Sequence, residues 1–233
     1  MALHPLDLQL GSGEFLSIFG PNGAGKTTLL KVLATLMKPS SGQVRILGLD
    51  PSEDGIAVRR QISLVSHSTF LYENLTAYEN LLFYGRMYEV ENLPKRIAEV
   101  FEEVGLTSRQ RDLVGSFSDG MQRRLSIARA FLHRPRLLLL DEPYVGLDPE
   151  AAHNLGKVLA GLHDGERSLI MTTHNISRGL ELCDRAAILV GGRLVYDEVR
   201  SAISADDFEA TYLAAQHQAR AVRPPRRFDG GGP

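Results

Sequence analysis

Cysteine is almost missing from this chain: Cys183 is the only one in 233 residues. No disulfide can form within the chain, and a reducing compartment fits. Long apolar runs are missing too. None approaches the roughly 20 residues that cross a bilayer as a helix, and the first residues lack the charged-then-apolar pattern of a secretion signal. Any membrane role is therefore expected to come through a partner, and Asn74-Leu75-Thr76 and Asn175-Ile176-Ser177 read as chance matches to the glycosylation pattern. A basic surplus is absent as well. Lys and Arg number 26 against 28 Asp and Glu, a formal net charge of −2, which argues against a nucleic-acid partner. No internal repeat is visible. At this length the chain can bury a full core and suits one large domain, with or without a subdomain.

What is present centres on Gly20-Pro21-Asn22-Gly23-Ala24-Gly25-Lys26-Thr27. Glu14 to Phe19 before it reads as a buried strand, and Thr28 to Met37 after it as a helix ending before Pro39. This is G-x-x-x-x-G-K-[ST] between a strand and a helix, the context that confirms a phosphate-binding loop. Glycines let backbone N–H groups turn toward phosphate oxygens, and the helix N-terminus adds a partial positive charge. Lys26 reaches the outer phosphates, and the Thr27 hydroxyl, followed by Thr28, can ligate Mg²⁺. A Gly-rich turn without a ligand is the bland alternative, and eight matching positions with both flanks right speak against it.

The rest alternates strands and helices. Strands are expected near residues 2–10, over Gln43–Leu47, Ile62–Ser66, Arg136–Leu140 and Ser168–Thr172, and in a hairpin from Ala186 to Tyr196 around Gly191-Gly192. Thr76 and Glu79 stand at capping-box spacing, predicting a helix to about Met87. Pro94 opens a second helix that Gly105 ends, and a short helical piece spans about Ser108 to Leu113. Ser118 caps a helix from Asp119 to about His133, with Met121, Leu125, Ala128 and Leu132 on its buried stripe. Asp148 caps another, with Pro149 at its first position. Ser204 caps the last helix, to about His217, and residues 216–233 are expected to be a disordered tail. The fold class is α/β, a single domain over residues 1–215, with a core of about 1–74 and 116–215 and helices inserted over about 75–133.

Four leucines deliver Asp141 and Glu142 to the end of a buried strand. A carboxylate there can hold Mg²⁺ opposite Thr27, and Glu142 is placed to polarise an attacking water, a role worth roughly 10²–10⁴-fold in rate. Two solvated loop acids would be the alternative, but Pro143 and the strand give the pair a fixed position.

Phe117-Ser118-Asp119-Gly120-Met121-Gln122-Arg123-Arg124 lies about twenty residues before that pair. Here the chain resembles the ABC-transporter ATPases, whose signature reads L-S-G-G-Q in this place. Ser118 and Gly120 match; Phe117, Asp119 and Met121 depart from the commonest form. The resemblance continues at Tyr144-Val145-Gly146-Leu147-Asp148, similar to the family's D-loop with Asp148 at its acidic position. It includes Thr172-Thr173-His174, like the family's switch histidine, a candidate γ-phosphate contact. Val65-Ser66-His67 resembles the Q-loop, with His67 in the glutamine's place. Histidine can do similar work only when neutral, because a protonated ring repels a metal ion.

The resemblance covers about residues 2–215. It implies a P-loop NTPase with a RecA-like core, antiparallel β elements and a helical signature subdomain. It further implies ATP and Mg²⁺ as ligands and a second ATPase subunit whose Ser118, Asp119, Gly120 and Met121 act on this chain's ATP. Integral membrane subunits would be the partners, at the cytoplasmic face of the cell membrane. Phe83 to Tyr88, Val65 to His67 and Met121 look most like the ATPase subunit of the haem exporter in cytochrome c maturation. Drug- and antibiotic-efflux ATPases carry inserts and signatures of this type as well.

Family members usually begin with a strand and an aromatic that stacks on adenine, whereas no aromatic precedes Phe15 here. Either the start is assigned downstream of the true one or the stack is absent. Stacking contributes about 1–3 kcal/mol per base, so its absence is expected to weaken nucleotide binding roughly 5- to 150-fold and to blur discrimination of ATP from GTP.

Overall fold

Alternation of side chains along buried strands splits the core into two layers. Leu137 and Leu139 point to one face of the sheet while Leu138 and Leu140 point to the other, as a period of two requires. Such strands are buried on both sides and read as unbroken apolar runs. The computed structural model describes residues 3–222, with side chains to residue 217. Its sheet has six strands: β1 (Phe15–Phe19), β2 (Ile62–Val65), β3 (Leu137–Asp141), β4 (Ser168–Thr173), β5 (Arg185–Val190) and β6 (Arg193–Val199). Their order is β2-β3-β4-β1-β5-β6. The first five are parallel, with Ile62 opposite Leu137, Leu137 opposite Ser168 and Phe15 opposite Leu169; β6 turns back antiparallel on β5.

One face is covered by α1 (Lys26–Leu33), α2 (Gly55–Gln61) and the leucines at 3, 6, 8 and 10. The other face carries the larger layer. It packs against α3 (Ala77–Met87), α4 (Leu93–Glu103), α5 (Asp119–Phe131), α6 (Pro149–Leu162), α7 (Ile176–Leu182) and α8 (Ala205–Val222). The capping box at Thr76 and Glu79 is present with both bonds made, and Pro94 lies in the first turn of α4. Leu125, Ala128 and Leu132 of the expected stripe are buried, with Met121 packed at its edge.

Several expected elements differ. Residues 3–10 form no strand; the segment lies along the sheet, and the His4 N–H donates to Gly192 O at 2.8 Å. Gln43–Leu47 yields only a bridge between Ile46 and Leu49, because Leu47 and Gly48 both take positive φ and turn the chain back at once. The first helix stops at Leu33, where Thr35 adopts a left-handed backbone (φ 61°). Two 3₁₀ turns, Thr107–Arg109 and Val114–Ser116, replace the short piece around Ser108. At the other end α8 runs to Val222, so residues 216–222 are helical; Ala, Gln and Arg there favour helix and no Pro or Gly intervenes. The rest of the expected tail, residues 223–233, lies outside the described residues. Helices α2 and α7 were not expected at all.

Candidate functional site

Four adjacent parallel strands end at one edge of the sheet, and each delivers a motif there. After β1 comes the loop Gly20 to Gly25; after β2, Ser66 and His67; at the end of β3, Asp141 and Glu142; after β4, His174. Open parallel sheets bind ligands at the carboxyl ends of their strands, so this edge is where a site belongs.

The loop itself uses Gly23 (φ 79°) and Gly25 (φ 106°) in backbone that side chains rarely adopt. Gly25 caps α1, leaving the first N–H groups of that helix without intrahelical partners. The loop is braced by Gly192, whose N–H donates to Ala24 O at 2.9 Å. A cavity of about 280 Å³ lies over residues 21–28 and Glu142.

Lys26 is buried, 6% exposed. Its ammonium donates to Gly20 O and Pro21 O and lies 3.1 Å from Glu142 Oε1. That last contact is ionic rather than an aligned hydrogen bond, since Oε1 has no hydrogen-bond partner. On the other side Glu142 Oε2 lies 2.9 Å from His174 Nδ1. One carboxylate thus joins a lysine from α1 to a histidine from the end of β4. Its backbone is held in the left-handed region, φ 48°, a conformation costing a non-glycine residue about 1–3 kcal/mol. Two bonds from the Glu142 N–H, to Thr172 O at 3.1 Å and Thr172 Oγ1 at 3.2 Å, keep it there.

Thr172 is a residue that motif reasoning passed over. It is fully buried in β4, and its hydroxyl donates to Asp141 Oδ1 at 2.7 Å while accepting from the Glu142 N–H. A hydroxyl has one proton and two lone pairs, so this one group orients both acids. Its signal was available: a hydroxyl in a fully buried strand must find partners.

The residues present fit ATP with Mg²⁺. The loop and buried Lys26 suit a polyphosphate, and Thr27 and Asp141 are hard oxygen donors, Asp141 having one carboxylate oxygen outside the bond to Thr172. Mg²⁺ is an ion held by one or two protein groups plus substrate phosphates.

Other motif residues stand apart. Ser118 caps α5, accepting from the Met121 N–H at 3.3 Å, and Asp148 caps α6, accepting from the Ala151 N–H at 2.7 Å. Ser118, Asp119 and Asp148 are exposed; Gly120 is buried and Met121 half-buried. Neither they nor His67 line the cavity over the loop. His67 is exposed, but the carbonyl before it is anchored: the buried Arg123 donates to Ser66 O at 2.6 Å. Beside the acids, the Tyr144 phenol is pushed up to about 12 by burial first, and by Glu181.

The family model described as ABC transporter matches residues 3–145. The chain is 36% identical to the linearmycin resistance ATP-binding protein of Bacillus subtilis over 82% of its own length and 62% of the relative's. It is 35% identical to the daunorubicin/doxorubicin resistance ATP-binding protein of Streptomyces peucetius, over 95% of its length and 69% of that protein's. The chain thus spans less than two thirds of the first relative. Among solved structures, a dimeric post-hydrolysis ATP-binding cassette bound to ADP and Pi superposes with a TM-score of 0.76 and 28% identity, over 85% of this chain and 90% of that one.

Proposed function

This chain belongs to the ABC transporter family, and from that premise we propose that it is the ATP-hydrolysing subunit of an exporter for drug- or antibiotic-like small molecules. The observation that carries the reading is the junction of Lys26, Glu142 and His174 beside the phosphate loop. Lys26 and the loop amides hold the phosphates, Thr27 and Asp141 hold the metal, and Glu142 takes the proton of the attacking water. His174 holds Glu142 and would contact the terminal phosphate. Bound Mg²⁺ supplies charge neutralisation on the phosphate oxygens.

Cargo chemistry rests on the relatives, two of them named for resistance to linearmycin and to daunorubicin/doxorubicin. They favour drug efflux over haem export, for which only the short stretches at 65–67, 83–88 and 121 speak. A homodimer is the assembly we favour. Ser118, Asp119 and Asp148 are exposed and lie off their own chain's cavity, and a similar cassette forms a dimer. No helix of the described residues is long and apolar enough to cross a membrane, so a membrane subunit at the cytoplasmic face would be the second partner. The surface we assign to it is the exposed apolar group Phe70, Tyr72, Phe83 and Met87, beside the segment after β2.

Glu142→Gln keeps the shape and removes the base. The variant is expected to bind ATP, accumulate as a dimer on size exclusion, and release phosphate at least 10²-fold more slowly. Hydrolysis at the parent rate by this variant would overturn the assignment of the base.

A further inference from the structure

Buried arginines normally face carboxylates, because a desolvated charge without a partner is costly. Arg129 of α5 does not. It is 7% exposed, its Nε has no hydrogen-bond acceptor, and burial pushes its guanidinium down, opposed only by the phenols of Tyr84 and Tyr88. No ion pair to it exists among the described residues, although Arg96, buried to the same degree on α4, has Glu99 and Glu103.

What Arg129 has instead is a pair of aromatic faces. Its guanidinium carbon lies 4.9 Å from the Tyr84 ring centroid and 5.7 Å from that of Phe70. The Tyr84 hydroxyl donates to Phe70 O, and Phe70 itself is held at φ 55°. This framework orients the guanidinium while leaving donors free. They line a groove of about 530 Å³ whose walls include Leu36, Ile56, Phe70 and Met87, all four of them exposed. The other charges on the groove are Arg59, Arg60 and Glu89; Arg60 and Glu89 are 3.7 Å apart and well exposed, a pair that solvent screens. The groove is therefore apolar at its rim and positive, with a desolvated cation inside.

We propose that the membrane partner inserts an acidic side chain into this groove and that its carboxylate pairs with Arg129. This rests on the reading of the chain as a transporter subunit and adds the chemistry that subunit must present. A protein segment fits better than a free phosphate or a lipid headgroup. Leu36, Ile56, Phe70 and Met87 offer contacts to side chains flanking the acid, and the aromatic faces exclude the water that would otherwise weaken the pair.

The test uses the full chain assembled with the membrane subunit that copurifies with it, identified by sequencing. Arg129→Met is expected to leave the ATPase rate of the free chain unchanged and to weaken assembly roughly 30-fold or more. Substituting the partner's cytoplasmic Asp and Glu residues one at a time should find one whose loss weakens assembly as much, with no further loss when combined with Arg129→Met. An Arg129→Met effect that adds to that of every partner acid would overturn the pairing, as a merely destabilised fold would behave that way. Phe70→Ala, at an exposed position, should weaken assembly without lowering the melting midpoint. Loss by Arg129→Met of binding to vesicles of phosphatidylglycerol and phosphatidylcholine, with assembly intact, would assign the groove to a headgroup and refute the proposal. If the parent chain assembles with no membrane subunit, the transporter reading falls first; if it assembles but no acid couples to Arg129, only this inference falls.

Discussion

At the scale of single residues, the candidate site depends on side chains that hold other side chains. Asp141 and Glu142 are adjacent in sequence, yet they can divide metal binding and base catalysis only if each is pinned. Thr172 does the pinning with one hydroxyl. Thr172→Val keeps the branched shape and removes the hydroxyl, leaving an Asp141 carboxylate oxygen short of its donor and the Glu142 N–H with the residue-172 carbonyl as its remaining acceptor. A hydrogen bond to a charged group contributes about 1.5–3 kcal/mol, so kcat should fall roughly 10- to 150-fold with a smaller change in KM, and Mn²⁺ binding followed by paramagnetic resonance should weaken. Thr172→Ser should restore both. If valine proves as active as threonine, the hydroxyl plays no positioning part.

At the scale of elements, the signature segment is a packing joint as well as a candidate recognition loop. Gly120 lies in the first turn of α5, and a Cβ there would stand 2.5 Å from the Ala151 Cβ of α6. Glycine is required because two helix N-termini, capped by Ser118 and Asp148, meet at that point. Gly120→Ala should cost about 1–3 kcal/mol by overpacking, read as a lower urea midpoint, and Ala151→Gly should restore most of it. A Gly120→Ala chain as stable as the parent would show that the helices separate freely. The elements also show where sequence patterns mislead. Caps at Thr76, Ser118 and Asp148 were legible because capping is decided within four residues. The strand expected at Gln43–Leu47 was not realised, because alternation shows that a face could be buried but not that a neighbour exists to pair with.

At the scale of the whole molecule, His133 joins the end of α5 to the sheet. Its ring stacks on Tyr88 at 4.2 Å, and its Nε2 lies 3.2 Å from Ile62 O. Burial pushes its pKa down first of all, with Arg129 and Arg96 adding to the effect, against the bond to Ile62. The folded chain therefore keeps this ring neutral where the unfolded chain protonates it. The resulting stability is fully present above the unfolded value of about 6.5 and is lost as pH falls from there through the depressed folded value. Melting midpoints should drop over that window, and His133→Gln should flatten the drop. An equally steep acid limb in the variant would assign it to other groups.

The sequence by itself determined what is local: the phosphate loop between strand and helix, the acids at the end of four leucines, the caps, and the order of motifs that marks the family. Tertiary structure alone decided which of these meet. Strand order β2-β3-β4-β1 placed Lys26, Glu142 and His174 in one junction across more than a hundred residues of chain and left Ser118 and Asp148 outside it. The fold also set Arg129 over two rings with no carboxylate partner among the described residues. The physical reason is that turns, caps and phosphate loops are set by neighbours along the chain. Desolvation and charge pairing depend on what the folded sheet brings close.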